Sequence, residues 1–488
     1  MNDGAPLQGC RRLSTVLAAV FAVAGCAVGP DFQRPAPPDV DRYDQTQVVL
    51  PSAGDAQPQQ TLAAGSAPAA AWWRAFESDA LNETVALALQ GSPTLEAAQA
   101  TLAAANETLA AVRGEFFPQI DVVGSASRGN SIGVPRAGAG SVQNLYDVGG
   151  AFGYAVDVFG GTRRRVEQQA AFVDFQRGQV GAAYLSLTGD VVTAAINAAS
   201  ATEELAAAQD IIAVDEHNLQ LVQISVAAGK STGTDVLAAE GQLASDRALL
   251  PPLRQQLDVA RHALAVLVGR LPAQWAPPQF SFANLKLPTD LPLTLPADLV
   301  RARPDIVAAE AQLHAATAAV GVATAQLYPN LTLSGSWTTT AGGPSDLFSA
   351  NSDIWSIAAG LAAPIFHGGT LRAQRRAAVD TLAAQLALYR QTVLTAFGQV
   401  ADALNALEHD AEAVQAQQAA LEASRASLEL TQQSYEAGQA SFLQILVTQR
   451  IYLQARLGIA RAESQRYLDT ALLYLVLGGD VVSAPEAQ

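Results

Sequence analysis

Tyr328-Pro329-Asn330-Leu331-Thr332-Leu333-Ser334-Gly335-Ser336-Trp337-Thr338 is the stretch on which the fold turns. Before Pro329 apolar residues recur at helical spacing. After it they fall on every second position, with Leu331, Leu333, Gly335 and Trp337 alternating with Thr332, Ser334, Ser336 and Thr338. That period marks a strand with one apolar and one polar face. The same switch occurs at Phe117-Pro118-Gln119-Ile120, after which Ile120, Val122, Gly124 and Ala126 alternate with Asp121, Val123, Ser125 and Ser127. The helical patterns leading into the two switches open at Pro93-Thr94-Leu95 and Pro304-Asp305-Ile306, so start and end are both displaced by 211 residues. Phe159-Gly160-Gly161-Thr162 is answered by Phe366-His367-Gly368-Gly369-Thr370. Ser225-Val226-Ala227-Ala228-Gly229 is answered by Ser434-Tyr435-Glu436-Ala437-Gly438, displaced by 209. The chain contains one unit written twice.

Each copy carries a hairpin. A polar, Gly-rich loop, about 129–147 in the first copy and 341–352 in the second, leads to a return strand through Phe152, Tyr154, Val156 and Val158 or through Trp355, Ile357, Ala359 and Leu361. The four strands are expected at about 117–128, 149–159, 329–340 and 354–365. Around them the pattern is helical. A short helix near 80–91 follows Asp79 as N-cap, and Trp72-Trp73 with Phe76 packs the preceding segment against it. A helix over 94–114 presents the stripe Leu95, Ala98, Leu102, Ala105, Leu109 and Val112. Two very long helices run from Thr162 to about Gly229 and from Thr370 to about Glu436, about 100 Å each at 1.5 Å per residue, and each returns as one further helix, 234–268 and 441–477. Leu382, Leu386, Tyr389, Val393, Ala396 and Val400 recur at three- and four-residue steps, a seam for a neighbouring helix.

Strands of about ten residues with one apolar face have the length that crosses an outer membrane when tilted. No stretch after the N-terminal signal has eighteen consecutive apolar residues, which speaks against a transmembrane helix. Four strands cannot close a barrel, and open edges are not tolerated in lipid, so several chains must share one.

The apolar half of the 488-residue composition is poor in aromatics, 6%, so its packing rests on Ala and Leu in long, close helices. The net charge of −16 argues against a nucleic-acid partner, whose phosphates would need a basic face. Arg11-Arg12, the apolar run Leu13 to Val23 and the small-residue site Val23-Ala24-Gly25-Cys26 are similar to a bacterial lipoprotein signal. Residues 1–25 would be removed, and Cys26 would carry an N-acyl and an S-diacylglycerol chain. Loss of Asp3 with Arg11 and Arg12 lowers the charge from −16 to −17. Cys10 leaves with the signal, so no disulfide forms within one mature chain. Five scattered histidines and no methionine after Met1 offer no metal-ligand cluster, so neither metal nor cofactor is expected. Gly-x-Ser-x-Gly, a phosphate loop and a paired-carboxylate site are all missing, so no enzyme is expected. The domain division is 1–25 signal; 26–75 lipid-anchored arm; 76–270 first repeat; 271–296 linker; 297–478 second repeat; 479–488 tail.

With these pieces placed, the chain resembles the TolC-like outer-membrane factors, in particular the lipoprotein branch serving resistance-nodulation-division efflux pumps. The resemblance is carried by Cys26-Ala27-Val28-Gly29-Pro30-Asp31-Phe32-Gln33-Arg34-Pro35, Trp72-Trp73 with Phe76, Phe117-Pro118, Asp157-Val158-Phe159-Gly160-Gly161, Pro364-Ile365-Phe366-His367-Gly368-Gly369, and Tyr435-Glu436-Ala437-Gly438-Gln439-Ala440-Ser441. It implies a mainly α fold with membrane β: a homotrimer whose protomers each give four strands to a twelve-stranded transmembrane β-barrel and their helices to an α-barrel tunnel. It implies a periplasmic adaptor and an inner-membrane transporter as partners, and a duct passing small molecules out of the cell; the alternatives are a conduit for type I protein secretion and a purely structural coiled-coil lipoprotein. The first copy departs from the pattern at Gly229-Lys230-Ser231-Thr232-Gly233-Thr234, where a Gly stands in place of the bulky Phe442.

The turns at Gly229 and Gly438 lie farthest along the helices from the strands and are expected at the periplasmic mouth. Asp235, Glu429, Gln432 and Gln433 are candidates for lining or latching a constriction, or are solvated helix surface. Gly229, Tyr435, Gly438 and Ser441 are candidates for the turn itself, for contact with the adaptor, or, at Ser441, for a helix cap. Carboxylates facing the lumen would favour cations.

Overall fold

The computed structural model describes residues 27–45, 50–51, 58–130, 142–349 and 353–479. The signal, Cys26, the middle of the first hairpin loop and all of the tail beyond Gly479 lie outside the described residues. The elements are β1 (Thr61–Ala64), α1 (Asp79–Gly91), α2 (Pro93–Gly114), β2 (Gln119–Asn130), β3 (Val142–Val156), α3 (Gly161–Ala227), α4 (Gly233–Arg247), α5 (Leu250–Leu267), β4 (Asp290–Leu293), α6 (Pro296–Ala302), α7 (Pro304–Ala325), β5 (Asn330–Ala341), β6 (Asp353–Ala362), α8 (Thr370–Glu436) and α9 (Phe442–Leu477). Two compact units divide the chain, one of Met1–Pro35, Thr101–Gln176 and Ala309–Tyr389, the other of Ala36–Ala100, Arg177–Ala308 and Arg390–Gln488.

The first unit holds an antiparallel sheet in the order β2-β3-β5-β6, in which the β3–β5 pair joins the two repeats. The register makes the four alternations coincide. Ile120 stands opposite Phe152, Phe152 opposite Gly335 and Gly335 opposite Ile357; Val122, Gly150, Trp337 and Trp355 form the next row. Directly opposed residues share a face, so one surface collects the apolar side chains. It is uncovered in the protomer: Ile120 and Ile357 are 77% exposed and Trp355 72%. The other surface carries Thr332, Ser334, Ser336 and Thr338, with Ser125 and Asp147 bonded across it at 3.0 Å. Among the described residues β2 and β6 are edges with no further strand.

The strand ends differ from their expected bounds by one to three residues, β6 closing at Ala362 rather than near 365, except at the start of β3. In the first hairpin β3 begins at Val142 rather than near 149, so that Gln143 to Asp147, expected in the loop, pair with Ser125 to Gly129. Leu145 and Tyr146 are adjacent and flanked by Gln143, Asn144 and Asp147, so no alternation revealed them; backbone pairing extends the ladder, with Ser125 and Thr340 hydroxyls bonding Asp147 across it. At its far end β3 stops at Val156, and Val158 lies beyond it. Asp157 ends the strand because its carboxylate accepts the backbone N–H groups of Thr162 (3.0 Å) and Arg163 (2.9 Å), opening α3.

No helix has eighteen consecutive apolar residues among the described residues, but one qualifies by length and mean hydropathy alone. Pro304–Ala325 is long and apolar enough by length and mean hydropathy, 1.3, with half of the window buried within the chain. Asp305, Glu310 and His314 interrupt its apolar run, so a count of consecutive residues missed it. On α2 the predicted stripe holds. Leu95, Ala105 and Leu109 are buried and Ala98, Leu102 and Val112 half-buried, with exposed residues between them.

In the second unit α1 is capped by Ser78, whose hydroxyl accepts from Leu81 N, rather than by Asp79, the first helical residue. Trp72, Trp73 and Phe76 are core, with Trp72 stacked on Tyr474 at 5.6 Å. The expected single helix 234–268 is two, α4 and α5, broken at Ala248 and Leu249 because Pro251 and Pro252, which lack a donor, fit only a first helical turn. The linker contains β4, paired in parallel with β1 of the arm. The main core is small and aliphatic, with Ala195, Ala199, Leu264, Val400, Ala403 and Leu473 at 0% exposure.

Candidate functional site

At the tips the sequence dictates the turns. The last turn of α3 closes with Gly229 N donating to Val226 O (2.9 Å) and Lys230 N to Ser225 O (2.8 Å); α8 closes with Gly438 N to Tyr435 O (2.9 Å) and Gln439 N to Ser434 O (2.8 Å). Both are Schellman ends. The glycine must sit in the left-handed region, and φ is +72° and +74°. The following helices open with capping boxes: Asp235 Oδ2 accepts from Thr232 N at 2.8 Å and Gln444 Oε1 from Ser441 N at 2.7 Å. The two repeats thus make the same reversal with different residues.

Beneath the turns Val222, Ala239, Phe442, Ile445 and Leu446 form a small core that joins α3, α4 and α9, with Tyr435 of α8 packed against it. Tyr435 meets Phe442 at 6.0 Å between ring centres. Where the first repeat has Gly233 in place of Phe442, Val236 supplies apolar surface instead.

The candidate residues scatter over this architecture. Asp235 and Ser441 hold helix ends, Gly229 and Gly438 make the turns, and Tyr435 packs. Glu429 is exposed and pairs with Arg425 one turn earlier at 3.1 Å. Gln432 is half-buried and Gln433 exposed.

A polar layer that sequence reading passed over lies in the same bundle. Gln449, wholly buried, donates from Nε2 to Asp215 Oδ1 at 2.5 Å and accepts from Asn218 Nδ2 at 3.0 Å. Asp246 of α4, 5% exposed, takes a bond from Gln242 at 2.9 Å. Asp215 is within hydrogen-bonding reach of Asp246; burial first, then that neighbour, pushes its carboxyl up to about 8. The signal was present: Ile211, Asp215, Asn218 and Val222 occupy one seam of α3, and Gln449 sits between Ile445 and Leu453 on α9, polar residues at positions that periodicity assigns to the core.

In the first unit the segment after residue 26 is clamped. Val28 N donates to Phe159 O (3.1 Å), Arg164 bonds Asp31 (2.6 Å) and Glu167 (2.7 Å), Phe32 stacks on His314 with ring centres 4.3 Å apart, and Arg34 pairs with Glu310 (2.6 Å). Gly160 permits the approach, since a Cβ there would lie 2.6 Å from Ala27 Cα. Among the described residues no group of three or more His, Cys, Asp or Glu could hold a metal ion.

The family model described as outer membrane efflux protein matches residues 84–270 and 295–479. Nodulation protein T of Rhizobium leguminosarum bv. viciae is 31% identical over 94% of this chain and 91% of its own. The pyoverdine export outer membrane protein OpmQ of Pseudomonas aeruginosa is 31% identical over 86% of this chain and 90% of its own. The solved outer-membrane channel OprN superposes with a TM-score of 0.84 at 30% identity, covering 94% of this chain and all of that one.

Proposed function

Because the chain belongs to the outer membrane efflux protein family, we propose that it is an acylated exit duct whose lipid is carried by Cys26 and whose two helical turns form the closable inner mouth. The protein is the outer-membrane channel of a tripartite efflux pump, with a long periplasmic helical tunnel. It works as a homotrimer with a periplasmic adaptor and an inner-membrane transporter. Protein secretion is not favoured, and the purely structural coiled coil does not account for the sheet.

The observation that carries the reading is the sheet: four strands, one apolar face open to the surroundings, one polar face and two edges unpaired among the described residues. In lipid those edges must be satisfied, and three copies pooling four strands each close a barrel whose polar surface is turned inward. Solute then passes along water and hydroxyls, with no bond made or broken, so no catalytic group or cofactor is needed. Acylation of Cys26 is supported by the signal that precedes it and by the clamp that follows it. Roles for Asp235, Glu429, Gln432 and Gln433 in lining the mouth, and for Gly229, Tyr435, Gly438 and Ser441 in receiving the adaptor, are supported by their place at the ends of the long helices.

The test is purification from outer membranes in detergent, with mass measured by light scattering and the mature N-terminus by mass spectrometry. A particle of three protein masses, and an N-terminal peptide bearing three acyl chains that Cys26→Ser abolishes, are expected. A folded monomer would refute the duct, and an unacylated N-terminus would refute the anchor.

A further inference from the structure

Two helix faces in the first unit lack a partner, and they match. On α2 the stripe Leu102, Ala105 and Leu109 is covered by Val173, Val166 and Ala170 of α3. Glu107 is two residues from both Ala105 and Leu109, so at 100° per residue it points away from that seam. It is exposed, as are Ala103, Ala104, Ala110 and Ala111 around it. On α8 the covered positions are Leu371, Ala378, Leu382, Leu386 and Tyr389, and Arg376 lies two residues from Ala378, again on the far side. Arg376 too is exposed and bordered by exposed small residues, Ala373, Ala377, Ala383 and Ala387.

Arg165 takes Glu115 and Arg375 bonds Thr324 Oγ1 at 3.3 Å, while Arg372 and Asp380, one turn either side of Arg376, are exposed on the same face of α8. Glu107 and Arg376 make no ion pair among the described residues. They also stand at one height. Glu107 is seven residues before Gly114, where α2 gives way to β2; Arg376 is six residues past Thr370, where α8 follows β6. At 1.5 Å per residue these are about 10 and 9 Å from the sheet ends of their helices. Since β2 and β6 are the open edges, a second copy that extends the sheet brings α2 of one chain alongside α8 of the next.

We propose that the occupant of these faces is a second copy of this chain, and that Glu107 of one protomer pairs with Arg376 of its neighbour, three times around the ring. The flanking alanines let the two helices come close, so Glu107 faces an α8 surface on which Arg376 lies at a similar distance from the strand end of its helix, with Arg372 and Asp380 one turn to either side. The pair would set the vertical register between protomers, which a sliding alanine surface leaves undetermined. This inference rests on the homotrimer proposed above.

Two variant sets test it in membranes of the full-length protein. Glu107→Cys with Arg376→Cys is expected to give disulfide-linked trimers under mild oxidation, whereas Thr108→Cys with Arg376→Cys is not. Charge reversal by Glu107→Arg or by Arg376→Glu sets like charges together at every interface and is expected to cause loss of the heat-resistant trimer band; the double reversal restores it. Trimers of normal mass with no cross-link and no recovery in the double variant would overturn the pairing alone. A wild-type protein that is not trimeric would overturn the reading on which it rests.

Discussion

Gln449 and Asp215, 234 residues apart in sequence, share a 2.5 Å hydrogen bond inside the bundle that carries the helical turns. The bond uses one carboxylate oxygen. The other is buried without a partner bond and the Asp246 carboxylate lies nearby, so the site holds a proton that the unfolded chain would release.

That imbalance makes the bundle's stability depend on pH. The folded pKa of Asp215 is raised, so the native state binds more protons than the unfolded one between the ordinary carboxylate range and about 8, and stability falls as pH rises through that window. Asp410, pushed up to about 7 by burial and by Asp469, acts in the same direction. Thermal unfolding is expected to shift downward from pH 5 to pH 8. Asp215→Asn should flatten part of that slope and raise stability at pH 8 by about 1–3 kcal/mol, the cost of an unsatisfied buried polar group. A parallel pH profile in the variant would contradict the assignment.

The turn at Gly438 requires a left-handed residue, φ +74°. Gly438→Val should cost about 1–2 kcal/mol locally and loosen the reversal, read as faster protease cleavage between α8 and α9 with unchanged trimer mass. Ser441→Ala, which removes a cap, should cost about 1 kcal/mol.

Clamping of the arm depends on the absence of a side chain at Gly160. Gly160→Leu should displace Ala27 and expose the Asp31–Arg34 segment to a broad-specificity protease such as proteinase K without altering the helix content measured by circular dichroism. Arg164→Ala should do the same more weakly, leaving Asp31 and Glu167 without their shared cation.

Trp355 lies on the surface assigned to lipid, level with Trp337 in the register. Trp355→Arg is expected to cost about 2–4 kcal/mol if it meets the bilayer midplane and less near the rim, and to lower the yield of assembled protein in outer membranes. Ser356→Arg, one residue away on the polar face, should assemble normally and alter conductance instead.

Periodicity exposed the elements because each has one side against the chain and one against a solvent of different polarity. The stripe on α2 and the alternations at Leu331–Trp337 and Ile120–Ala126 are local consequences of that contrast. Boundaries were lost where the contrast is not periodic: in Gln143 to Asp147 the adjacent Leu145 and Tyr146 fall on opposite faces among polar neighbours, and the segment is held in β3 by pairing with β2. The break before α5 was visible in Pro251-Pro252 but was overridden by the apolar spacing on either side.

At the tips, Gly229 and Gly438 identified the reversals, because a left-handed helix end favours glycine whatever surrounds it. Which polar residues cap, which pair and which are buried could not be read, since Asp235, Glu429 and Asp215 differ in their neighbours and not in their type. By itself, then, the sequence determined two repeats, their helices and strands, and the turns between them, all set by interactions within a few residues. Tertiary structure decided the strand register that gathers every apolar face on one side, the burial of Asp215 against Gln449, and the fastening of the arm at Gly160. The β3–β5 pairing, the Asp215–Gln449 bond and the approach of Ala27 to Gly160 each join residues over a hundred positions apart, whose geometry no local pattern encodes.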